Sequence, residues 1–86
     1  MEPLIQRLNQ ILQQEFPGSI PELEVVKPLQ KVGGFLLWDG FDDLDQLDRQ
    51  RKVSEVIREQ LPPHEAVRVT TIFTMTPAEA DVMRQP

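Results

Sequence analysis

Asp39, Asp42, Asp43, Asp45 and Asp48 are the densest set of like chemistry in the chain. Clustered carboxylate oxygens are what a hard cation such as calcium or magnesium seeks. Their spacing does not reproduce the Asp-x-[Asp/Asn]-x-[Asp/Asn]-Gly loop of an EF-hand. A helical stripe begins directly after them, so the plainer reading is a solvated, acidic helix start favoured by the helix dipole. No metal site is expected from them.

Arg49, Arg51 and Lys52 follow, with Arg58 further on. Such a set can contact phosphate, but Asp45 and Asp48 stand at the i+3/i+4 spacing that pairs acids with bases on a helix. The formal net charge is −5, and a phosphate backbone is repelled by such a domain on average. His64 is the single histidine and there is no cysteine. After Pro62-Pro63 it reads as an exposed loop residue rather than a ligand or base. Ser19 and Ser54 have no histidine at a suggestive position, and Gly33-Gly34 is a turn signal rather than a phosphate loop. The absence of cysteine excludes disulfides, zinc-thiolate sites and thiol catalysis within these residues. An enzyme is not expected, nor a cofactor.

The elements around these residues are legible from periodicity. Leu4, Ile5, Leu8, Ile11, Leu12 and Phe16 predict an amphipathic helix over 4–16, ended by Pro17-Gly18. Pro21 to Lys27 predicts a short strand. Pro28 and Gly33-Gly34 predict a turn, and Phe35 to Trp38 a strand that is apolar on both faces. Leu44, Leu47, Val53, Val56, Ile57 and Leu61 predict a helix over 45–61, stopped by Pro62-Pro63. Ala66 to Met75 alternates as a third strand. Thr76-Pro77-Ala78-Glu79 carries a capping box and an N1 proline, and predicts a last helix to Met83. The expected fold class is α+β, in the order αββαβα, as one domain over 1–86 with a three-stranded mixed sheet packed by helices. The first two strands should be antiparallel and the second and third parallel. Met1-Glu2-Pro3 is not the start of a secretory signal, and no apolar run is long enough to span a bilayer, so the default expectation is cytoplasmic.

The chain resembles the BolA-like family, a class II KH-like fold, over nearly all its length. Leu23-Glu24-Val25-Val26 resembles the family's first strand. Phe41-x-x-Leu44-x-x-Leu47-x-Arg49-x-Arg51-x-Val53 is similar to the family's segment running from a phenylalanine to Arg-His-Arg and a hydrophobic residue. Thr76-Pro77-Ala78-Glu79 is similar to the Thr-Pro-Glu-Glu-Trp near the family's C-terminus. Asp43 stands where a glycine is usual, Gln50 where the histidine is, and Ala80 about where the tryptophan is. The resemblance implies an αββαβα fold and a monothiol glutaredoxin as a candidate partner sharing an iron–sulfur cluster. The family's metal-ligand positions are not matched: Ala66 or Arg68 occupies the histidine position, His64 is displaced, and residues 28–34 contain neither Cys nor His.

The expected function is a small interaction or regulatory module acting through a protein partner or a second copy of itself. The residues expected to carry it are Phe35 and Trp38, which should point to opposite faces of the second strand, one into the core and one outward. The alternative is a KH-like nucleic-acid regulator using Arg49, Arg51 and Lys52. Against it, the Gly40-Phe41-Asp42-Asp43 turn has acids where an RNA-clamping Gly-x-x-Gly loop needs an open backbone.

Overall fold

Leucines at i, i+4 and i+8 make one stripe of the first helix, and that stripe is what it buries. The computed structural model describes residues 3–27 and 30–84. Helix α1 spans Pro3–Glu15 with Leu4, Leu8 and Leu12 buried. Strand β1 follows at Ile20–Val26, then β2 at Lys31–Leu37, a 3-10 turn at Asp39–Asp43, and helix α2 at Gln46–Gln60. A one-turn helix α3, Pro63–Ala66, leads into strand β3 at Val69–Met75, and helix α4 covers Pro77–Arg84. No helix among the described residues is long and apolar enough to cross a membrane.

The sheet order is β1-β2-β3, with β1 antiparallel to β2 and β2 parallel to β3. This is the expected mixed α+β arrangement. A short connection can only return a strand antiparallel, and the crossover through α2 brings β3 back parallel.

Several element ends differ from the sequence reading by one residue, and two strand starts differ by more. The third strand starts at Val69 rather than Ala66, because Pro62 and Pro63 open a helical turn before it. The second strand starts at Lys31 rather than Phe35, so Gly33 and Gly34 lie inside it and are not a turn. Gly34 has φ +143, and a Cβ there would lie 2.0 Å from the Glu22 carbonyl oxygen. The glycine serves close approach of β1 to β2 rather than chain reversal. The turn expected at Pro28 falls outside the described residues.

Leu36, Val32 and Ile72 point to one face of the sheet and join Leu4, Leu8, Leu12, Phe16, Phe41, Val53 and Leu61 in the core. Helices α1 and α2 supply that side. The other face is not bare along its whole length. Arg84 of α4 forms an ion pair with Glu22 of β1, and Ala80 and Met83 share a hollow with Phe35 and Met75. Helix α4 therefore lies over the Leu37–Met75 end of that face, which explains why Leu37 is buried.

Candidate functional site

Adjacent strands in register place like residues side by side. Phe35 of β2 pairs with Phe73 of β3, and their rings stack at 5.5 Å between centroids with a 33° tilt. They stay 37% and 53% exposed. Beside them, a hollow of about 190 Å³ is lined by Phe35, Met75, Ala80, Met83 and Arg84. Val82 and Met83 of α4 are exposed as well. Isolated surface apolar residues are ordinary, but a stacked aromatic pair beside an apolar hollow is the kind of patch that contacts use.

Trp38 is placed differently. It follows the last residue of β2 and packs edge-on against Phe16 at 5.1 Å and Phe41 at 5.2 Å. Its Nε1 donates to the Pro17 carbonyl at 2.9 Å. The ring lies over Gly40, where a Cβ would come within 2.5 Å of it. Of the two aromatic candidates, Phe35 faces outward and Trp38 completes the core end.

The basic candidates do not assemble into one surface. Arg49 is 5% exposed. Its Nε donates to the carbonyls of Phe41 at 3.0 Å and Leu44 at 2.9 Å, and its guanidinium pairs with Glu79 at 2.8 Å. It pairs with α4 instead of with Asp45, which the i+4 spacing had suggested. Arg51 and Lys52 are exposed, but Lys52 shares its groove with Glu15, Glu55 and Glu59.

Among the acids, Asp45 caps α2 by accepting from the Asp48 amide at 2.9 Å, while Asp39, Asp42 and Asp43 belong to the exposed 3-10 turn. Among the described residues, no group of three or more His, Cys, Asp or Glu side chains converges as a cation site would need. His64 sits exposed in α3 rather than in a loop. With no cysteine and a lone exposed imidazole, the donor set does not fit a shared iron–sulfur cluster. Ser19 is buried, its hydroxyl donating to the Leu12 carbonyl at 3.4 Å.

The expected capping box forms. The Thr76 amide donates to Glu79 Oε1 at 2.8 Å and the Glu79 amide donates to Thr76 Oγ1 at 3.2 Å. Hydrogen bonds from Arg49 and from the Thr76 backbone hold the Glu79 carboxyl below its ordinary pKa, against the opposing effect of burial.

Sequence reasoning missed Phe73 and Met83. Phe73 was legible as part of an alternating strand, but its neighbour depends on the β2–β3 register, which a crossover does not encode locally. Met83 was legible only as a residue of a terminal helix. Compared with protein-family models, curated proteins and solved structures, the chain matches none.

Proposed function

We propose that the chain is a small non-enzymatic interaction or regulatory module of BolA-like type, working in the cytoplasm through a protein partner. The observation that carries this reading is the stacked, exposed Phe35–Phe73 pair beside an apolar hollow. Fully burying a large apolar side chain contributes about 1.5–3 kcal/mol, and Phe35 and Phe73, 37% and 53% exposed, forgo part of it in the free domain. A partner or a second copy that covers them recovers it. By resemblance, a monothiol glutaredoxin is the first partner to test, as a protein–protein contact without cluster ligands from this chain.

The test combines sedimentation of the purified domain with binding to a purified monothiol glutaredoxin, for the parent, Phe35→Ser and Phe73→Ser. Both variants should keep the parent circular dichroism spectrum and lose association. With iron, sulfide and glutathione under anaerobic conditions, the mixture should show only the glutaredoxin's own cluster spectrum. Folded variants that associate as the parent does would move the contact away from this face. A heterocomplex spectrum that vanishes in His64→Ala would overturn the cluster-free reading.

A further inference from the structure

The two edges of the sheet are treated differently. On β3, two outward carbonyls are taken: Gln50 Nε2 donates to Ile72 O and Gln46 Nε2 donates to Thr74 O, each at 3.2 Å. Among the described residues, no side chain caps the edge of β1 in this way. Val32 N donates to Arg68 O and Trp38 N to Met75 O, so even-numbered residues of β2 direct their backbone groups to β3 and odd-numbered ones to β1. Through the antiparallel register, Ile20, Glu22, Glu24 and Val26 face β2. Pro21, Leu23 and Val25 then face outward. Proline stands where its missing N–H loses no ladder bond. The outward N–H and C=O groups of Leu23 and Val25, with the Pro21 carbonyl, have no partner among the described residues.

We propose that this edge of β1 accepts an extended segment of a partner protein, antiparallel, with Lys or Arg at alternate positions. The proposal rests on the partner-binding role above and names the chemistry of the partner. Residues that do not exchange hydrogen bonds across a new ladder bring their side chains closest together. On the outer side of β1 these are Glu22 and Glu24, which share the face of Phe35. Opposite charges directly across strands stabilise the pair, and like charges oppose it. Arg84 pairs with Glu22 in the free domain and is exposed enough to yield it to an incoming cation, while Glu24 is exposed and unpaired among the described residues. The same carboxylates disfavour a second copy. Antiparallel self-pairing centred on Glu22, Leu23 or Glu24 sets a glutamate against a glutamate. An added strand would extend the sheet next to the Phe35 face, so one partner can use both.

The experiment titrates the labelled domain with a short blocked peptide alternating Lys and Val, following amide shifts and hydrogen exchange. Controls are the same peptide N-methylated on its pairing edge and a Glu/Val peptide. The amides of Leu23 and Val25 should gain protection, while those of Glu22 and Glu24, already bonded to β2, should not change. The N-methylated and acidic peptides should not bind. Glu24→Lys should weaken binding about threefold to tenfold. Phe35→Ser should bind the peptide as the parent does, which separates this edge from the apolar face. The proposal is overturned by no binding, by equal binding of the N-methylated peptide, by loss of binding in folded Phe35→Ser, or by peptide-free dimerisation that protects Leu23 and Val25.

Discussion

The Arg49 guanidinium holds the Glu79 carboxylate through two hydrogen bonds, Nη1 to Oε1 at 2.8 Å and Nη2 to Oε2 at 3.3 Å. The same arginine donates through Nε to the carbonyl of Phe41 in the 3-10 turn and to that of Leu44, which caps it. One side chain therefore joins α2, the Asp39–Asp43 turn and the start of α4. Arg49→Ala removes the donor from two buried or half-buried carbonyls and should destabilise by about 2–4 kcal/mol. Arg49→Lys should rescue little, because an ammonium cannot reproduce the planar fork. Urea unfolding of the three proteins checks this, and a parent-like Arg49→Ala would contradict it.

The Glu79 carboxyl has a folded pKa below its unfolded one, chiefly through Arg49 and then the Thr76 amide. A depressed carboxyl pKa stabilises fully above the unfolded value, and that contribution is lost as pH falls through the folded value. The window therefore lies below the ordinary glutamate range, from about pH 4.3 downward. Glu79→Gln should be less stable than the parent at pH 7, and the gap should narrow below that range. A gap that stays constant down to acid pH would show that the charge of Glu79 is not what matters.

Gly34→Ala should be among the most damaging small substitutions. Its Cβ would meet the Glu22 carbonyl at 2.0 Å, and φ +143 is strained for any L side chain. A loss of at least about 2 kcal/mol is expected, read as a thermal midpoint lower by about 10 °C or more. Gly18→Ala, with nothing within 4 Å, should be milder and serves as the comparison.

Trp38→Ser and Phe35→Ser should separate core from surface. The first loses the Pro17 hydrogen bond and two edge-on aromatic contacts and should destabilise by about 3 kcal/mol or more. The second should stay within about 1 kcal/mol of the parent. Equal losses would mean that Phe35 is structurally required.

Gln46→Ala combined with Gln50→Ala uncovers the Ile72 and Thr74 carbonyls on the β3 edge. The double variant should fold with a loss of about 1–2 kcal/mol. It should also show association that grows with concentration, since an unpaired edge is a template for another strand. Sedimentation that stays independent of concentration would argue that the bulk of α2 protects this edge.

The sequence by itself determined the element order, the sheet directions and the Thr76–Glu79 cap. The order and the cap depend on neighbours within a few residues: the leucine stripe of α1, the alternation of β3 and the capping-box spacing. The sheet directions depend on the lengths of the two strand connections, one short and one a long crossover through α2. It left open what depends on distant partners. The directions of Phe35 and Trp38 were decided when β2 ended at Leu37 and the indole turned to Phe16, Phe41 and the Pro17 carbonyl. Arg49 read as a surface base because helical spacing offers Asp45, but burial against Phe41 and the arrival of Glu79, 30 residues away in sequence, gave it another partner. Gly33-Gly34 read as a turn because local chemistry cannot show that a neighbouring backbone will press against Gly34. The glutamine-capped carbonyls of the β3 edge and the uncapped groups of the β1 edge follow from which backbone groups the pairing register turns outward, and register is a property of the assembled sheet.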